Sequence, residues 1–188
     1  MKRGLCLLVV IAAMALCSEK PLRADPYLRP SDAPHAIFSE STGAEQRELV
    51  LTGAEAKVLG EWLGRRVDLV PYAYLEVRKD KEILGEIFVL DVIGQSRPIT
   101  FAVGVGVDGR LRDIQVMVYR EPQGEQIQEA RFRRQFAGKK AEDPIAIGKD
   151  IDVISGASIS SRSATYAAKK ALLLAAIVQA RLRAANTP

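Results

Sequence analysis

Two runs of alternating apolar residues, Ile99–Val105 and Arg112–Arg120, stand on either side of Asp108-Gly109. Asp-Gly between two such runs is a strong hairpin signal, because a two-residue type I′ loop needs positive φ at both central positions. Closing the loop there sets Val107 opposite Arg110, and therefore Val103 opposite Ile114, Phe101 opposite Val116 and Ile99 opposite Val118. These apolar residues then share one face of both strands, as the two-residue period of a half-buried sheet requires. Register and turn chemistry agree on an antiparallel pair.

The surrounding sequence extends that pair into a sheet with helices. Tyr72–Arg78 and Ile83–Ile93 carry further strand signals. The stretch that opens at Thr52 reads as a helix capped by that residue, with Val58, Leu59, Trp62 and Leu63 on its apolar side and Gly64 near its end. A turn and a short amphipathic helix follow Arg120, and a last, alanine-rich helix runs from about Ser161 to Leu182. The fold class is therefore α+β, a twisted antiparallel sheet with packed helices. A Pro-rich linker opens the segment 25–48, and the domain proper is placed at 49–188.

The N-terminus is set apart. Lys2 and Arg3 precede an apolar run from Leu5 to Cys17, too short to span a bilayer comfortably and suited to the apolar region of a secretory signal. Residues 1–24 are read as a signal peptide, with the mature chain starting between Leu16 and Asp25, in the periplasm or another extracytoplasmic compartment. Cleavage after Ala24 removes Lys2, Arg3, Lys20, Arg23 and Glu19, and lowers the formal charge from +4 to +1. Without a concentrated basic face, nucleic acid is not an expected partner. Cys6 and Cys17 leave with the same segment, so the mature chain has no thiol for a disulfide, an iron–sulfur cluster or a haem attachment. His35 is the only histidine, and no metal site is expected. Redox chemistry would need an organic cofactor.

Two motifs fail on context. Gly104, Gly106 and Gly109 match G-x-G-x-x-G, but a β-alternating segment follows where a dinucleotide site needs a helix. Gly156-Ala-Ser-Ile-Ser160 falls one glycine short of a nucleophile elbow, and His35 precedes the serine where the α/β-hydrolase order places histidine after it. No catalytic residue is assigned. The cations Arg131, Arg133, Arg134, Lys139 and Lys140 read as a solvated face, as a docking surface or as positive potential near an anionic cofactor.

The cluster Ser155, Gly156, Ser158, Ser160, Ser161, Ser163 at the start of the last helix exceeds what capping needs. A helix N-terminus with free N–H groups suits a phosphate, and a hydroxyl there can bond one or carry one covalently. Asp152–Ser158, "DVISGAS", resembles the D-x-x-[S/T]-G-A-[T/S] flavinylation motif of the FMN-binding domain family. That family includes the flavin-bearing subunits of the sodium-pumping NADH:quinone reductase and the Rnf electron-transport complex. The hairpin with its following loop, "RRQFAGKK" and "SSRSATYAAKKAL" resemble further parts of the family, so that the likeness is strongest over 99–182.

The resemblance implies an FMN-binding domain fold and FMN attached by a phosphoester to Ser158, placed there by an FAD:protein FMN transferase. Asp152, Ser155, Gly156 and Ala157 would form the recognised segment, and Glu121, Gly124 and Gln126 would contact the isoalloxazine. Most members carry threonine where Ser158 stands, and "EPQGEQ" lacks the E-T-P-G order of the best-known members. The expected function is an exported electron carrier between donor and acceptor proteins, including membrane redox complexes. A free-standing flavin-dependent reductase, which would turn over a small substrate, is one alternative. A sensing or adhesion module that kept the fold without flavin, and would purify colourless, is another.

Overall fold

The computed structural model describes residues 26–185. The signal peptide read at 1–24 and both cysteines lie outside the described residues. Five strands, β1 (Gly43–Leu49), β2 (Tyr72–Lys79), β3 (Glu82–Ile93), β4 (Pro98–Gly106) and β5 (Leu111–Val118), form one antiparallel sheet in chain order. The α-helices are α1 (Ala33–Ile37), α2 (Gly53–Leu63), α3 (Ala130–Arg133) and α4 (Ser158–Ala185). This is the α+β architecture expected from the sequence.

The larger core lies between one sheet face and α4. Pairing of Phe88 with Val103, Leu90 with Phe101 and Val92 with Ile99 continues on β5 as Val103 with Ile114 and Phe101 with Val116. Against this face α4 buries Ala164, Ala167, Ala168, Ala171, Leu174, Ala175 and Val178, a helical period of small residues that lets the backbone come close to β3 and β4. The opposite face is covered by Ala33 and Phe38, packed on Val77, Ile87, Ala102 and Met117. The chain enters along this face, where the Tyr27 N–H donates to the Met117 carbonyl.

At α2, Thr52 Oγ1 accepts from the Glu55 N–H while the Glu55 carboxylate accepts from the Thr52 N–H, a reciprocal cap, and Gly64 closes the helix at φ +65. Arg181 of α4 also binds Glu55; that bond and the Thr52 N–H hold its carboxyl down to about 2. Only one side of α2 is covered. Ala56 and Leu59 are buried, whereas Val58 and Trp62, read onto the apolar side, are 54% and 53% exposed along a groove beside α4.

Three further expectations are revised. The hairpin does not close on a type I′ loop. The Gly109 N–H donates to the Gly106 carbonyl and the Gly106 N–H to Arg110, so the loop is Val107-Asp108-Gly109, with Gly109 at φ +72. Asp108 does not have positive φ. A register shift between Gly104 and Val105 then restores Val103 opposite Ile114, and a second shift pairs Val118 with Thr100 instead of Ile99. α4 starts at Ser158, not near Ser161, because the chain turns into the helix directly after Gly156 at φ +81. Finally, β1 lies in the segment read as linker and N-terminal segment; six of its seven residues are exposed, so no alternation marks it.

Candidate functional site

The motif segment is held from both ends before it reaches α4. Asp150 Oδ2 accepts from Lys139 Nζ at 2.8 Å and from the Ile145 N–H at 3.1 Å, and Oδ1 accepts from the Ala146 N–H at 2.8 Å. Burial pushes this carboxyl up, but Lys139 and the two N–H donors outweigh it and leave it below its ordinary value. Two residues on, the Gln135 side chain clamps the Asp152 backbone, accepting from its N–H at 2.7 Å and donating to its carbonyl at 3.3 Å. The Asp152 carboxylate is exposed and, among the described residues, has no bonded partner. The Ala157 N–H donates to the Ile154 carbonyl, which closes the turn that carries Ser155 and Gly156.

Burial separates the serines. Ser155 and Ser158 are exposed, whereas Ser160, Ser161 and Ser163 are buried. Ser160 Oγ lies 2.7 Å from Tyr119 Oη, which also donates to the Gln123 carbonyl. Ser163 Oγ donates to the Ile93 and Ile159 carbonyls. Ser161 Oγ is buried with no partner among the described residues. Neither Ser160 nor Ser161 is the helix cap, and Ser163 lies past the first turn. Ala157 precedes the helix and has no side chain to cap it, so the N–H groups of Ser158, Ile159 and Ser160 have no acceptor among the described residues. An exposed hydroxyl thus stands at the first residue of a 28-residue helix whose N-terminal donors are open.

Two cavities lie along the motif segment, and the smaller one is lined by Ser158 itself. One, of about 210 Å³, is lined by Gln95, Glu121, Gln123 and Gly156–Ser160. The other, of about 470 Å³, is lined by Gln126, Arg131, Phe132, Gln135 and Asp152–Ser155. Of the residues singled out in the sequence, Gly156, Ala157, Ser158 and Glu121 meet at the first, and Asp152, Ser155 and Gln126 at the second. Gly124 lines neither; it packs at φ +98 against Ser160 and Tyr119. Two larger depressions, of about 660 and 590 Å³, flank α2 and contain none of these residues.

Glu121 is placed at the site, and its carboxylate is already engaged. It accepts from the Ser96 N–H at 2.7 Å, the Arg97 N–H at 2.8 Å and Ser96 Oγ at 3.1 Å. Burial pushes its carboxyl up, yet these donors prevail and keep it below the usual range. Its visible role is to fix the β3–β4 turn as a cavity wall. Of the cavity-lining residues, Arg131 is marked in the sequence only as one cation of the basic run, and Gln95, Gln123 and Gln135 are not marked as site residues. For Gln135 the signal is the "RRQFAGKK" likeness and for Gln123 the "EPQGEQ" loop, whereas Gln95 stands in a turn without a pattern.

The donor set fits a flavin mononucleotide. The open N–H groups and the Ser158 hydroxyl suit a phosphate, the Gly156 position leaves space around it where a Cβ would meet nothing within 4 Å, and the orphaned Ser161 hydroxyl lies within the same first turn. Residues 94–173 match the FMN-binding domain family. No curated protein matches the chain.

Proposed function

Over residues 94–173 this chain belongs to the FMN-binding domain family and is a flavin-binding protein, and from that premise we propose that FMN is attached covalently to Ser158 and that the domain serves as an extracytoplasmic electron carrier. The observation that carries the proposal is the exposed Ser158 hydroxyl at the open N-terminus of α4. Among the serines of the cluster it alone combines exposure, a place in the helix and the preceding Gly-Ala pair.

The described residues give the Ser158 hydroxyl no bonded partner, and the one carboxylate that lines its cavity, Glu121, is engaged by Ser96 and Arg97. Attachment therefore falls to a separate FAD:protein FMN transferase, with the base and metal supplied by that enzyme. Ser158 Oγ attacks the FMN-side phosphorus of FAD. The Oγ–P bond forms, the P–O–P bond breaks with release of AMP, and the hydroxyl proton passes to the transferase. The exposed Asp152 carboxylate and Ser155 are the recognition elements of this substrate. The open N–H groups of α4 then hold the phosphodiester charge.

Once attached, the isoalloxazine supplies transfer of electrons singly or in pairs, and the protein orients it and sets its potential. Covalency suits an exported chain, which cannot draw on cytoplasmic FMN; the support for export is the basic start and short apolar run of residues 1–24. Donor and acceptor proteins, including membrane redox complexes, are the proposed partners.

The test is co-expression with a flavin transferase, followed by denaturing electrophoresis, a fluorescence scan and intact mass. Wild type is expected to keep a fluorescent band heavier by FMN less water. Ser158→Ala loses it, Ser158→Thr keeps it, and Asp152→Ala weakens it with the fold intact. Denaturation-resistant flavin on Ser158→Ala would move the attachment to another hydroxyl, and a wild type that never acquires it would end the proposal.

A further inference from the structure

The two cavities along the motif segment are unequal, and Ser158 lines the smaller while Ser155 lines the larger. Pockets for ligands of this size run from roughly 300 to 1,000 Å³. The cavity of about 470 Å³ lies in that range and the one of about 210 Å³ does not. We infer that the larger cavity receives the isoalloxazine of the flavin carried on Ser158, and that Arg131 on its wall stabilises the reduced, anionic ring. The inference rests on the attachment proposed above.

Reach and lining favour this placement. Ser155 stands on the cavity wall three residues before Ser158, so their Cα atoms are at most about 11 Å apart. A ribityl chain and ring can bridge that distance. Val153 and Ile154 offer apolar surface for a flat ring, with Phe132 buried behind them, and the Gln126 amide offers both a donor and an acceptor to an edge with carbonyl and N–H groups. The Gln135 clamp on Asp152 joins the two sides of the cavity.

The charges are distributed unevenly over the basic run. Arg133 is bound to Asp113 at 2.6 Å and to the Gln128 carbonyl, and Lys139 is bound to Asp150. Arg131 is the cation on the cavity wall. Its Nε donates to Glu129 at 2.6 Å, and its Nη groups have no partner among the described residues. Two-electron reduction with uptake of one proton leaves the ring with one negative charge. A guanidinium beside it favours the reduced form, while Glu129 and Asp152 oppose it.

The experiment measures the midpoint potential of flavinylated full-length protein by spectroelectrochemical titration with dithionite as reductant. The proteins are wild type, Arg131→Gln, Arg131→Lys, Glu129→Gln and the remote control Lys57→Gln. Arg131 is 71% exposed at its side chain, so its replacement leaves the fold standing. Arg131→Gln is expected to lower the reduced-to-oxidised ratio at least tenfold, which is about 30 mV for a two-electron couple. Arg131→Lys stays near wild type, Glu129→Gln shifts upward, and Lys57→Gln does not move. If Arg131→Gln keeps the wild-type potential while flavin remains on Ser158, the inference is overturned and the attachment stands. If wild type carries no covalent flavin, both fall.

Discussion

At Gly124 the backbone has φ +98, and a Cβ placed there would stand 2.5 Å from Ser160 Oγ and 2.7 Å from Tyr119 Oη. Those two atoms form the buried bond that fastens the loop after β5 to the first turn of α4. Gly124→Ala therefore combines a strained backbone with displacement of that bond, and is expected to cost about 1–3 kcal/mol in urea unfolding. A midpoint and slope equal to wild type would show that the loop is not seated on α4. Tyr119→Phe keeps the ring in the core but leaves Ser160 Oγ buried and unpaired, a loss of similar size, about 1–3 kcal/mol. The importance of Gly124 was legible only as part of a loop resembling the family's flavin contacts. The packing reason lies far along the chain at Ser160, which spacing along the sequence cannot reveal. For the serines the two kinds of information agree: the motif position marks Ser158 in the sequence, and burial separates it from Ser160, Ser161 and Ser163 in the fold.

The hairpin of β4 and β5 marks what patterning can and cannot specify in a secondary-structure element. Alternation fixes which residues share a face, and so Val103–Ile114 and Phe101–Val116 were readable. It does not count the residues in the loop, and a loop one residue longer followed by a compensating bulge gives the same central register. Gly109 occupies positive φ in either form, at +72 here, with nothing near a Cβ. Gly109→Val is therefore expected to destabilise by about 1 kcal/mol or more through backbone strain alone, and Gly109→Asn by less, since Asn tolerates that region. Thermal unfolding of the two variants decides the matter; equal midpoints would place the strain elsewhere. The start of α4 was hidden for a related reason. Ser160 and Ser161 are good capping types, but the reversal at Gly156 admits the helix earlier, and the one residue without a capping side chain, Ala157, precedes the first turn. β1 was hidden by its exposure, which leaves no apolar alternation to detect.

Across the whole molecule, the sheet and α4 meet over a buried carboxyl that ties global stability to pH. Glu86 of β3 is 1% exposed; its Oε2 accepts from Gln179 Nε2 of α4 at 3.0 Å, and it pairs across the strands with Glu76. Burial pushes the Glu86 carboxyl up, the Gln179 bond pulls it back in part, and Glu76 adds to the push, bringing it to about 7 from an ordinary 4.5. The folded state then holds a proton that the unfolded chain releases near pH 4.5. Stability contributed by this group therefore falls as pH rises from about 4.5 and levels off above about 7. The shift corresponds to a few kcal/mol at most, since each pKa unit is about 1.4 kcal/mol. Glu86→Gln removes the ionisation while its amide oxygen can still accept from Gln179. Its thermal midpoint is expected to exceed that of wild type at about pH 8, and the gap is expected to close toward about pH 5. If the two midpoints instead run parallel across that range, Glu86 does not titrate in the folded state and its carboxylate is stabilised by more than Gln179. Because Gln179 also donates to the Gly106 carbonyl at 3.1 Å, Gln179→Leu should weaken the seat of α4 on β4 at every pH, which separates the packing role of the amide from the titration of the acid.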